Sequence, residues 1–139
     1  MKKRTKQNFN IVIPMAGRGS RFTEQGYTDS KPFIDVDGKP MIQVVVDSLN
    51  IDAKYIYVVQ KEHYEKYNLK HLLNLISPNC EIVQIDEMTE GAAQTILMAK
   101  DLINNDVPML SFNSDQMIDY NPKETFERFE KYDGGIPCF

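Results

Sequence analysis

Between Ile13 and Phe22 the chain reads IPMAGRGSRF, an apolar run that gives way to two glycines and two arginines. Glycine admits positive φ and lets a bulky group lie close to the backbone, and successive N–H groups in such a turn form a nest for an anion. Phosphate suits such a nest. A dinucleotide loop is excluded, because Phe22 replaces the third glycine of G-x-G-x-x-G and no helical pattern follows at once. A P-loop is excluded as well, since the spacing and the closing Gly-Lys-Ser/Thr are missing. Arg21 follows the glycines, and Lys31 comes later in SKPF. A guanidinium forks across phosphate oxygens and an ammonium acts as a movable point charge. The pair can therefore clamp a polyphosphate and steady charge that grows on it in a transition state. The same residues also make an ordinary turn with solvated cations.

Two further segments carry chemistry. In SFNSDQ, Asp115 is a candidate Mg²⁺ ligand, because that ion typically binds through one or two carboxylates together with phosphates. Asp is also a common turn or cap residue. In DEMTEGAA, Gly91 and two alanines leave room for a flat group such as a base or ribose, or else allow a helix to pack closely on a sheet.

The elements that must position these residues alternate between strand and helix, the pattern of a parallel α/β sheet with helices on its faces. NIVIP, AKYIYVVQ, CEIVQID and VPMLSF read as strands, and GGIPCF as the start of a fifth. KPMIQVVVDSLN predicts a helix with Pro40 in its first turn and Ile42, Val45, Val46 and Leu49 on one face. KEHYEKYNLKHLLNLI predicts a helix with Leu69, Leu72, Leu73 and Ile76 at helical spacing. The next helix has Thr89 as its expected N-cap and Ala92, Ile96, Ala99 and Ile103 as its inward stripe. Asn121, Pro122 and Glu124 open a last helix. In such sheets ligands sit beyond the carboxyl ends of the strands, where all three segments fall.

Residues 1–8 read as a basic flexible tail and 9–139 as one nucleotide-binding α/β domain. The formal net charge is −4, and the four cations of MKKRTKQ leave the remainder nearer −8, which disfavours nucleic acid as a partner. No segment approaches the roughly 20 apolar residues of a membrane span, so no membrane partner is expected and the cytoplasm is the expected location. Cys80 and Cys138 lie far apart, and neither His63 nor His71 joins them in a metal-site pattern, so both read as packing cysteines.

In order along the chain, MAGRGSRF, Lys31-Pro32, GKPMI, TEGAA and NSD resemble the G-x-G-[ST]-R-[LF] signature and later sites of the sugar-phosphate nucleotidylyltransferases. The resemblance covers the whole chain but only the amino-terminal half of such an enzyme. It implies a Rossmann-like three-layer α/β/α sandwich with a mostly parallel sheet, of the nucleotide-diphospho-sugar transferase type and truncated. It implies attack by a sugar-1-phosphate on the α-phosphorus of a nucleoside triphosphate, with Mg²⁺ and release of pyrophosphate, in making a precursor for surface polysaccharide. Carried over by motif, Ala16, Gly17, Arg18, Gly19 and Ser20 would hold the triphosphate, Arg21 would stabilise the reacting phosphoryl group, and Lys31 would bind phosphates and position the nucleophile. Gly91 and Ala92 would border the nucleoside, and Asp115 would hold Mg²⁺. Asp86 stands where many uridine- and thymidine-using relatives carry Gln. A carboxylate accepts hydrogen bonds and cannot donate them, so the exocyclic amino group of cytosine or guanine suits it better. Two alternatives remain: a cytidylyltransferase acting on phosphocholine or a similar alcohol, and a non-catalytic nucleotide-binding module. The first differs chiefly in the acceptor site, and the second turns on whether a partner chain or a homo-oligomer supplies a second carboxylate near Asp115.

Overall fold

The computed structural model describes residues 4–17 and 31–138. Its framework is a four-stranded sheet of β1 (Thr5–Pro14), β4 (Ile51–Gln60), β5 (Glu81–Ile85) and β6 (Met109–Ser111), in the order β5-β4-β1-β6. Each neighbouring pair is parallel. Ile11, Val12 and Ile13 are wholly buried, as expected of a central strand covered on both faces, and such strands read as continuous β-branched runs.

The two faces carry separate cores. On one, Ile11, Ile13, Tyr57 and Val59 meet the buried stripe Ile42, Val45, Val46 and Leu49 of α1 (Met41–Leu49) and the Leu69, Leu73 and Ile76 face of α3 (Leu69–Ile76). On the other, Val12, Ile56, Val58 and Ile85 pack with Ala99 and with Ile96 and Ile103 from the region of α4 (Ala92–Leu97) and α5 (Lys100–Ile103). This is the expected three-layer α/β/α sandwich with a mostly parallel sheet.

Several local expectations are corrected. Residues 4–8, expected within the basic tail, are part of the fold: β1 begins at Thr5, whose N–H donates to Asn50 O, and Arg4 donates to Asp47 Oδ1 and Ile76 O. The continuous helical pattern from Lys61 to Ile76 divides into α2 (Lys61–Lys66) and α3, because Asn68 takes a left-handed φ of 47°, a conformation that Asn tolerates better than most residues. Pro40 precedes α1 and ends a small hairpin of β2 (Asp35–Val36) and β3 (Lys39–Pro40). Its turn residues Asp37 and Gly38 both have positive φ, as a two-residue Asp-Gly hairpin requires. Gly91, not Thr89, occupies the N-cap of α4, and Ala92 is exposed, with Thr95 buried in its stead. Gly134–Cys138 form no strand, and the segment folds back so closely that a Cβ at Gly135 would run into the Phe129 ring of α6 (Pro122–Phe129). Asn121 does cap α6, its side chain accepting from Glu124 N–H. Cys80 packs against the core, and burial pushes its thiol up to about 11, so it stays protonated.

Leu73 is fully buried and Leu75 is 68% exposed on the same helix, a contrast that helical spacing alone imposes. Leu73→Ala should cost about 2–5 kcal/mol in urea unfolding, and Leu75→Ala should stay within about 0.5 kcal/mol. Equal losses would contradict this packing.

Candidate active site

β4 and β5 lie successively on one side of β1, and the chain then crosses back to place β6 on the other side. The reversal leaves β1 and β6 side by side, and the crossover that begins after β5 packs back against β1, so the carboxyl ends of both strands open on one crevice. A cleft of about 320 Å³ opens at this point. Pro14, Ala16 and Gly17 line it at and just past the end of β1, Asn113, Ser114 and Asp115 just past the end of β6, and Thr89 to Ala92 with Thr95 from the start of the crossover.

The three segments singled out by chemistry therefore converge. Ala16, Gly17, Gly91, Ala92 and Asp115 all line the cleft. Lys31 lies in a short 3₁₀ turn, Lys31–Phe33, and its Nζ forms an ion pair with Asp115 Oδ2. The turn is anchored by Phe33, which stacks on Tyr67 with ring centroids 4.4 Å apart and meets His63 edge-on. Asp86 is not among the lining residues. It sits just past β5, strongly exposed, with its carboxylate 3.7 Å from Lys61 Nζ. Arg18, Gly19, Ser20 and Arg21 lie outside the described residues.

Gly17 and Gly91 have no left-handed φ, so backbone strain does not explain them. Among the described residues, a Cβ built on either meets no atom within 4 Å beyond its own chain neighbours. What glycine provides at both places is open space above a bare backbone, on the wall of the cleft. The Gly91 turn is itself fixed by hydroxyls: Thr95 Oγ1 donates to Gly91 O at 3.1 Å and hydrogen-bonds Thr89 Oγ1. Sequence reasoning missed Thr95, which it placed off the buried stripe, and Gln60, whose Nε2 donates to Ala16 O. Nothing in the string separates Gln60 from any other strand-ending residue. Asp37-Gly38 was a legible hairpin signal that went unused.

Asp115 offers hard carboxylate oxygens on the cleft wall, and among the described residues no group of three or more acidic, His or Cys side chains surrounds it. That donor set suits Mg²⁺, which accepts one carboxylate and takes its other ligands from phosphates and water. No helix among the described residues is long and apolar enough to cross a membrane.

The nucleotidyl transferase family model matches residues 11–139. The bifunctional protein GlmU of Methanocaldococcus jannaschii is 27% identical over 126 residues, which is 88% of this chain and 28% of that protein. Among solved structures, a nucleoside-diphosphate-sugar pyrophosphorylase from Vibrio cholerae RC9 superposes with a TM-score of 0.64 at 21% identity, covering 84% of this chain and 52% of that one. The inositol-1-phosphate CTP transferase from T. maritima superposes with a TM-score of 0.67 at 15% identity, covering 89% and 49%. The chain thus spans about a quarter of this curated relative and about half of each solved neighbour.

Two outcomes test the site's construction. Gly91→Ala should leave thermal unfolding almost unchanged, because the new methyl meets no atom of the described residues beyond its chain neighbours, while narrowing the cleft; a large fall in Tm would show that the fold itself needs the glycine. Burial holds the His63 imidazole below its ordinary value of 6.5. The unfolded chain then takes up that proton first, so stability rises with pH through the window just below 6.5. Urea midpoints measured from pH 7 down to pH 5 should fall, and His63→Leu should lose part of that slope. With a match to nearly its whole length, a sheet order that reverses at β1, and Gly17, Gly91 and Asp115 gathered at that reversal, the chain belongs to the nucleotidyl transferase family.

Proposed function

We propose that this chain binds a nucleoside triphosphate in the cleft between β1 and β6 and carries the nucleotide half-site of a transfer to a sugar-1-phosphate or similar phosphorylated acceptor, releasing pyrophosphate. The observation that carries this reading is the convergence of Gly17, Gly91, Lys31 and Asp115 at one crevice. The names of the solved neighbours, a nucleoside-diphosphate-sugar pyrophosphorylase and a CTP transferase, support the same chemistry.

In this reading Gly17 and, by motif, Arg18, Gly19 and Ser20 hold the triphosphate, and the nucleoside lies against Gly91 and Ala92. Lys31 exchanges its bond with Asp115 for a phosphate oxygen. The exchange is cheap, because a partly exposed ion pair contributes little. Asp115, released, holds Mg²⁺, which supplies charge neutralisation on the phosphates when bound. Arg21 meets the charge that develops as an acceptor phosphate oxygen bonds to the α-phosphorus and the bond to pyrophosphate breaks. The attacking oxygen is already anionic, so no side-chain nucleophile or base is needed, and positioning and electrostatics supply the rate. The resemblance supports a role in making a precursor for surface polysaccharide, and we place that role in the cytoplasm.

Calorimetric titration with the four ribonucleoside triphosphates and thymidine triphosphate should show selective, Mg²⁺-dependent binding of one of them. Absence of binding to all would remove the reading. Asp115→Asn should weaken binding with Mg²⁺ present and leave it unchanged in chelator; equal losses would exclude the metal role. Arg21→Ala should raise the barrier to pyrophosphate release by about 3–4 kcal/mol while thermal unfolding stays unchanged, and a variant that merely unfolds would contradict that role.

A further inference from the structure

The backbone ladder between β1 and β4 ends where Met15 N–H donates to Val58 O at 2.8 Å. One residue further along β1, the ladder gains a rung made by a side chain: Gln60, the last residue of β4, donates from Nε2 to Ala16 O at 2.7 Å. Ala16 is buried, and the next residue, Gly17, is exposed on the cleft wall.

A trans peptide is planar, and its C=O and the following N–H point in opposite directions. Holding the Ala16 carbonyl toward Gln60 therefore turns the Gly17 N–H the other way, toward the side on which Asn113 to Asp115 form the opposite wall. Rotation of this one peptide would reverse its dipole and present a carbonyl oxygen, which repels phosphate, where a donor is needed. A glycine at the pivot makes that rotation easy, since it carries no side chain to oppose it. The amide of Gln60 is the group that blocks it.

We propose that Gln60 is a positioning residue: through the Ala16 carbonyl it locks the Ala16–Gly17 peptide with its N–H facing the bound polyphosphate. This rests on the reading of the cleft as a triphosphate site. Gln60 touches no substrate in this role. Its action is on the orientation of one donor, and a hydrogen bond to a charged group is worth enough for its loss to be measurable.

The test is titration of wild type and Gln60→Leu with inorganic tripolyphosphate and Mg²⁺, followed by amide NMR and by calorimetry. Wild type should bind with a large shift of the Gly17 amide. Gln60→Leu should keep its thermal midpoint, bind about tenfold more weakly and lose the Gly17 shift, while the Asp115 amide still responds. Binding by the variant at wild-type strength, with the Gly17 shift intact, would overturn the role of Gln60 alone. Failure of wild type to bind would instead remove the triphosphate reading and the role with it. Should Gln60→Leu fail to fold, Gln60→Met repeats the test with an unbranched chain, and unfolding of both would assign Gln60 to the fold and overturn the proposal.

Discussion

The molecule depends on β1 having a parallel neighbour on each edge and a helical layer on each face. A strand enclosed in this way has its N–H and C=O groups engaged by β4 and β6 and its side chains committed to two cores. Its buried stretch, Asn10 to Ile13, runs to the carboxyl edge of the sheet. The segment from Met15 onward must leave the sheet there, and whatever chemistry the fold performs is directed to that exit. The return of the chain from β5 to β6 brings a second wall to the same place, so the cleft follows from strand order before any particular side chain is considered.

The charged groups of the cleft are then assembled from parts far apart in sequence. Lys31 arrives on a turn whose Phe33 is stacked on Tyr67, Asp115 arrives on the loop after β6, and the two meet as an ion pair. Both side chains keep partial contact with water, so their attraction is screened and adds little to folding. In the proposed function that weakness serves the site. A carboxylate and an ammonium that neutralise one another can each be claimed by a bound partner of opposite charge, the one by a cation and the other by phosphate. Neither is stranded as a buried charge before that partner arrives.

The layered architecture was legible because β-branched runs such as Tyr55 to Val59 and helical stripes such as Ile42 to Leu49 state their period directly. The position of the cleft was legible for the same reason, since strand ends follow from strand assignment. What escaped the string were single-residue backbone choices. The left-handed Asn68 splits a helix whose apolar spacing runs on unbroken, and Asn is only one of several residues that permit this. Thr89 has the right chemistry for a cap, yet its hydroxyl is used by Thr95, so the helix starts later. Lys6 to Asn10 slip register against β4, which extends β1 into a stretch that reads as polar tail. Gln60 acts through a backbone carbonyl on another strand, a contact that no spacing in the sequence encodes.

In the proposed function a metal–triphosphate complex lies between the ends of β1 and β6. Paramagnetic relaxation tests it most directly, with amide signals followed as a Mn²⁺ nucleoside triphosphate complex is added. Asp115 and Gly17 should broaden first, followed by Gly91, while the amides at the amino ends of β1 and β6, Thr5 and Met109, should stay sharp. Broadening centred on another acidic surface, such as Asp35 to Asp47, with Gly17 and Asp115 unaffected, would contradict it.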